Sequence, residues 1–218
     1  MKKLLSITLL FGALAGIAQG ALAQDAKAGQ KKIAMCIGCH GIPGYQASFP
    51  EIHKVPMIAG QNAKYIIAAL TEYQKGERKH PTMRAIAASL SDQDMADIAA
   101  FYAQQGQADA PALAAKPDVL PSAAVAELLK RGNCVSCHGE NFAKPIDAGY
   151  PKLAGQHADY LFVALKAYQT RNNPQVGRGN AVMGGMTATF THPELKLLAQ
   201  YIGSLPGDLK TVPESRFR

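Results

Sequence analysis

The stretch Cys36-Ile37-Gly38-Cys39-His40 decides how this chain is read, because it returns as Cys134-Val135-Ser136-Cys137-His138. The two copies use all four cysteines. Cys-x-x-Cys-His is the attachment signature of c-type haem. Two thiols add across the porphyrin vinyl groups, and the adjacent imidazole becomes an axial ligand of the iron. Two copies therefore predict two covalently held haems. A disulfide framework, a thioredoxin-like Cys-x-x-Cys and a four-cysteine zinc site are the rival uses of such cysteines. None of them explains a histidine after both pairs.

Upstream of the first copy the chain starts Met1-Lys2-Lys3 and runs apolar from Leu4 to about Ala18, with Ala21-Leu22-Ala23 as a small-x-small site. This predicts a secretory signal peptide over residues 1–23, cut after Ala23. The apolar run is shorter than the roughly 20 residues a bilayer span needs. Export places the mature protein in the periplasm, soluble or at most loosely held at a membrane surface. Of 23 Lys and Arg, Lys2 and Lys3 leave with the leader, so 21 face 16 acidic residues, a net of +5. Haem propionates reduce that further. The basic residues are scattered, which argues against nucleic acid. A mildly positive surface suits transient docking to acidic partners.

Downstream, the sequence repeats itself. Pro56-Met57-Ile58-Ala59-Gly60-Gln61 matches Pro151-Lys152-Leu153-Ala154-Gly155-Gln156, an offset of 95. Tyr65, Leu70 and Tyr73 match Tyr160, Leu165 and Tyr168 at that offset, and Arg78, Met83 and Leu90 match Arg178, Met183 and Phe190 at 100. Two homologous halves follow: 24–106 and 122–218, joined by an Ala- and Pro-rich connector over 107–121. Each half is small for a self-sufficient apolar core. A fixed porphyrin supplies the missing apolar volume.

Both halves read as helical. Asp25 caps a helix from about Ala26 to Met35. A second runs from Asn62 to Lys75 with Gly76 as its stop. Ser91 opens a third, whose Met95, Ile98, Ala99 and Tyr102 form one apolar stripe. In the second half Ser122 starts a helix to Arg131, and another spans His157–Thr170. Thr191-His192-Pro193-Glu194 is a capping box ahead of the stripe Leu195, Leu198, Ala199, Ile202. No segment alternates like a strand. The ends, Gln24 to Ala28 and Pro213 to Arg218, read as loose.

His40 and His138 are the proximal iron ligands expected from the motif. A ligating histidine usually donates its other ring N–H to a neighbouring acceptor, and the carbonyls of Pro56 and Pro151 are the expected acceptors. Methionine as the second axial ligand raises the potential and closes the iron to substrate. Met83 and Met183 are equivalent in the repeat and are assigned that role, with Met186 the alternative in the second half. Met35, Met57 and Met95 have no repeat partner and are read as packing. His53, His80, His157 and His192 are read as surface or capping residues. Arg78 and Arg178 recur, as propionate partners or as solvated loop charges. Tyr65, Tyr73, Tyr160 and Tyr168 either bond propionates or pack.

These motifs resemble the dihaem cytochrome c4 family over nearly the whole mature chain. The likeness rests on both Cys-x-x-Cys-His copies, on the two Pro…Ala-Gly-Gln loops, on Met83 followed by Leu90-Ser91-Asp92-Gln93-Asp94, and on Ile98-Ala99-Ala100-Phe101-Tyr102. The resemblance implies an all-α fold of two class I cytochrome c domains with propionate edges facing each other. It also implies His/Met ligation at both irons and electron transfer in the periplasm toward a terminal oxidase. Met183-Gly184-Gly185-Met186, Phe190-Thr191-His192-Pro193 and the insert Tyr45–Val55 depart from the pattern. The expected partners are redox proteins: a terminal oxidase, a quinol-oxidising complex, or dehydrogenases. An alternative is the dedicated cytochrome subunit of a periplasmic dehydrogenase or reductase complex. A dihaem peroxidase would need an open or bis-His iron and an acid/base group above it, which the repeat does not supply.

Overall fold

A computed structural model describes residues 23–214. The signal peptide expected over 1–23 lies outside the described residues except for Ala23. The first half runs α1 (Ala26–Gln30), α2 (Ala34–His40), β1 (Gln46–Ala47), β2 (His53–Lys54), α3 (Ala63–Lys75), β3 (Arg78–Lys79), α4 (Pro81–Ala88) and α5 (Asp92–Gln104). The second runs α6 (Ala123–Arg131), α7 (Val135–His138), α8 (Ala158–Gln169), β4 (Gly177–Arg178), α9 (Ala181–Thr187) and α10 (His192–Ser204). The chain is thus a tandem pair of mostly helical units, as expected.

Helix starts follow the side chains that satisfy their free N–H groups. Asp25 Oδ1 accepts from the backbone of Lys27 and Ala28 at 2.8 and 3.1 Å. Ser91 and Asp94 form a reciprocal capping box, as do Thr191 and Glu194. Each such cap contributes about 1 kcal/mol. Gly76 closes α3 at φ +77°, a left-handed turn that glycine adopts without strain. The Thr191 backbone N–H and then Arg131 hold the Glu194 carboxyl down at about 2 from an ordinary 4.5. A depressed carboxylate stabilises the fold fully above its unfolded value, and that contribution disappears as pH falls toward the folded one. The stability difference between the wild type and Glu194→Gln should therefore be flat above pH 4.5 and shrink as pH falls toward 2. A difference independent of pH in acid unfolding curves would contradict this.

The helix expected over Ala26–Met35 is broken at Lys31–Ile33. The turn lets Ile33 (0% exposed) and Ile37 both enter the first core, with Ile66, Leu70, Met95 and Ile98. Lys32 then reaches Asp94 and Asp97 on α5 at 2.7 and 2.8 Å. Gly29 makes this seat possible: a Cβ there would lie 2.0 Å from the Asp97 carbonyl oxygen. Overpacking of this kind costs about 1–3 kcal/mol. Gly29→Ala should lower the urea midpoint of the haem-loaded protein accordingly; an unchanged midpoint would mean α1 is not seated on α5.

The N-terminal residues are not loose. Besides capping α1, Asp25 donates its own N–H to Asp97 Oδ1 at 3.0 Å. Near the C-terminus, Lys210 N–H donates to the Ala59 carbonyl at 3.0 Å in the first half, and Gln105 reaches Glu214. The expected looseness of 213–218 can be corrected only for Glu214, since 215–218 lie outside the described residues.

Two further elements tie the halves together. β3 and β4 pair antiparallel with Arg78 opposite Arg178. The insert Tyr45–Val55, expected as a variable loop, folds into the β1–β2 hairpin and lies on α8. There the Lys54 N–H donates to Asp159 Oδ2 at 3.1 Å, and Glu51 pairs with Lys166. These paired segments are two residues long, too short for any period-2 pattern to announce them.

Candidate functional site

In the first half α2 carries Cys36, Cys39 and His40 on one short helix. His40 Nδ1–H donates to the Pro56 carbonyl at 2.9 Å. In the second half His138 Nδ1–H donates to the Pro151 carbonyl at 3.4 Å. Both acceptors are the ones expected from the repeat. Each bond leaves Nε2 as the ring nitrogen available to a metal. Burial pushes both imidazole pKa values down, which keeps them neutral and able to ligate. All four cysteines are free thiols. Cys36 packs against the first core and Cys134 against the second. Two cysteine pairs held at separate cores do not form one zinc cage.

The methionines occupy one architectural position. Met83 is the third residue of α4, and its N–H donates to the ring of the capping residue His80 at 3.4 Å. Met183 is the third residue of α9, and its N–H donates to the capping residue Asn180 at 3.0 Å. Both are half-buried. Met186, one turn on, is 43% exposed. Neither short helix was expected from the sequence, and α9 contains two glycines that disfavour helix. A glutamine from the preceding long helix pins each one. Gln74 Nε2 donates to the Ala87 and Leu90 carbonyls at 3.4 and 3.1 Å, and Gln169 Nε2 to Thr187 and Phe190 at 2.6 and 2.8 Å. The signal for them was present: Tyr73-Gln74 recurs as Tyr168-Gln169.

Arg78 and Arg178 meet where the halves join. Arg78 is 5% exposed, so it is no solvated loop charge. Its guanidinium donates to Tyr65 at 3.1 Å and to Tyr160 at 2.8 Å, and lies 4.7 Å from the Tyr73 ring centre. Arg178 donates to the same Tyr160 hydroxyl at 3.1 Å. Burial pushes the Tyr65 phenol up to about 12. Burial raises Tyr160 too, yet Arg178 and Arg78 outweigh it and bring that phenol down to about 8. Arg78 Nε has no hydrogen-bond partner among the described residues. A buried cation held only by neutral phenols is costly without a counter-anion. Haem propionates are anions of the right kind. With the free thiols and the Nε2 atoms left open, this donor set fits haem in both halves.

Two sequence readings are corrected. His53 is buried (5% exposed), with its Nδ1–H donated to the Glu51 carbonyl, because the hairpin folds it against Tyr160. Met35 is 52% exposed rather than packed, because it lies beside Cys36 on the outer face of α2. Met95, by contrast, is in the core as expected. Tyr65 and Tyr160, read as propionate partners or as packing, both accept from Arg78.

Duplicated cysteine pairs, two histidines poised through Nε2 and two matching thioethers on a tandem helical fold define a dihaem c-type cytochrome. Comparisons agree. A cytochrome c family model matches residues 26–118 and again 122–206. A cytochrome c4 from Pseudomonas aeruginosa is 33% identical over 94% of this chain and 100% of its own length. A thiosulfate dehydrogenase electron acceptor from Stutzerimonas stutzeri is 32% identical over 88% of this chain and 94% of its own. The crystal structure of reduced recombinant cytochrome c4 from Pseudomonas stutzeri superposes with a TM-score of 0.61 at 30% identity, covering 84% of this chain and all of that one. The chain belongs to the cytochrome c4 family. It is an electron carrier with two covalently bound haem c groups.

Proposed function

We propose that this chain is a periplasmic carrier passing single electrons between respiratory-chain components, toward a terminal oxidase. Residues 24–106 and 122–218 form its two haem domains, with 107–121 as linker and 1–23 as a removed signal peptide. Cys36 and Cys39 hold one haem and Cys134 and Cys137 the other. His40 and Met83 ligate the first iron, His138 and Met183 the second. Pro56 and Pro151 orient the histidines, and Arg78 and Arg178 receive propionates. The observation that carries the reading is the shared position of Met83 and Met183, each third in its helix and half-buried. Thioethers there close both irons, so electrons cross but substrates do not bind. No helix among the described residues is long and apolar enough to cross a membrane.

A second reading is a dedicated electron acceptor within a dehydrogenase complex. It is favoured by the likeness to the thiosulfate dehydrogenase electron acceptor. Co-purification with a dehydrogenase rather than an oxidase would select it.

The site assignment is tested by a spectroscopic redox titration of the purified protein, with Met183→Ala and Met186→Ala in parallel. The wild type should show two haems and a thioether–ferric iron band in the red. Met183→Ala should lose the second haem's share of that band, and Met186→Ala should keep it. The reverse result would move the ligand to Met186.

A further inference from the structure

The repeated loops Ala59-Gly60-Gln61 and Ala154-Gly155-Gln156 do more than end a repeat motif. Gln61 and Gln156 are buried, each only 4% exposed, and each crosses to the other half. Gln156 Oε1 accepts from the Met57 N–H at 3.0 Å, and its Nε2 donates to the Met57 carbonyl at 2.9 Å. Gln61 mirrors this on Lys152, accepting from its N–H at 2.9 Å and donating to its carbonyl at 3.0 Å. Met57 and Lys152 directly follow Pro56 and Pro151. The Met57 N–H and the Pro56 carbonyl therefore belong to one peptide group, and so do the Lys152 N–H and the Pro151 carbonyl.

That shared group joins two hydrogen bonds end to end. His40 Nδ1–H donates to the Pro56 oxygen, and the nitrogen side of the same amide donates to Gln156. His138, Pro151, Lys152 and Gln61 repeat the chain in the opposite sense. The amide is conjugated across C, O and N. An acceptor on its N–H draws charge toward its oxygen, so bonds in series strengthen one another. A better acceptor at Nδ1–H makes the imidazole a stronger electron donor through Nε2.

We propose that Gln156 and Gln61 are positioning residues that tune the reduction potential of the haem in the opposite half, through the peptide group that receives the proximal histidine. The inference rests on the assignment of His40 and His138 as axial ligands. Electron density pushed toward iron favours the ferric state. Loss of the glutamine acceptor therefore raises the potential of the haem across the interface.

The test uses the full-length, haem-loaded protein and reads two quantities. One is the potential of each haem. The other is the NMR resonance of each proximal histidine Nδ1–H in the diamagnetic reduced state. Gln156→Leu should raise the first haem's potential more than the second's, and move the His40 Nδ1–H resonance upfield while His138 stays in place. Gln61→Leu should give the mirror pattern. Equal shifts at both haems, or a larger shift at the haem in the substituted half, would overturn the proposal. If Gln156→Leu fails to assemble, Gln156→Glu decides, because it keeps the acceptor and strengthens it. The first haem's potential should then fall further than the second's, with His40 Nδ1–H moving downfield; a rise or no excess at the first haem overturns the idea. Two haems and an intact red thioether band in the wild type, alongside a missing crossed pattern, would sink this inference alone. A missing band would instead sink the assignment of Met83 and Met183 in the proposed function.

Discussion

Met83→Ala should drop the potential of the first haem and open its iron to carbon monoxide, leaving the second haem near its original value. Axial ligands set haem potentials over a range of roughly 0.8 V, and a thioether lies toward the high end. Its loss is therefore a large electronic change in this half. Met83 is well placed for so local an effect. It sits on α4, pinned by Gln74 and packed against the first core, so trimming its side chain leaves the helix anchored. Titration and carbon monoxide difference spectra check both claims. An unchanged potential would remove Met83 from the ligand set. His80 is the nearest replacement, but its ring already accepts the Met83 N–H as the helix cap. A bis-His spectrum in the variant would mean that cap had been given up.

Arg78→Leu should differ in kind, because it acts on both haems. Arg78 is buried between the halves and bonded to a phenol from each, Tyr65 and Tyr160. Removing its charge should lower both potentials, since a nearby cation favours the reduced and less positive iron. On the proposed pairing with haem propionates, leaving those carboxylates without their partner would cost about 3–5 kcal/mol, so the unfolding midpoint should fall as well. Arg178→Leu should do less on both counts, as Arg178 is only half-buried and bonds only Tyr160 of the pair. Lysine is a poor substitute at position 78, because one ammonium cannot reach two phenols and a carboxylate in the geometry of a planar fork. Potentials that stay fixed in Arg78→Leu would show that no propionate lies beside it.

Much of this architecture is legible from the chain because its strongest signals are local. Cys-x-x-Cys-His needs neighbours in sequence, and the long helices announce themselves through the Gly76 stop and the caps at Ser91, Ser122 and Thr191. The duplication adds a second reading of each position, which is how Met183 was set above Met186. What escaped depends on contacts distant in sequence. The helices bearing Met83 and Met183 are eight and seven residues long and owe their stability to glutamines on other helices. The seating of α1 depends on a close approach of Gly29 to the Asp97 backbone that no pattern encodes. The burial of Arg78 requires both halves at once, so reading either half alone leaves its charge in solvent.

The bond between Lys210 and Ala59 also bears on the order of events in the cell. Ala59 is made early and emerges first; Lys210 is made near the end. Ala59 immediately precedes the Gly60-Gln61 pair that reaches across to Lys152. The first unit to be synthesised thus waits for late-arriving backbone before its own edge is complete. A lesion far downstream, around residues 205–214, would register as a fault in the upstream unit.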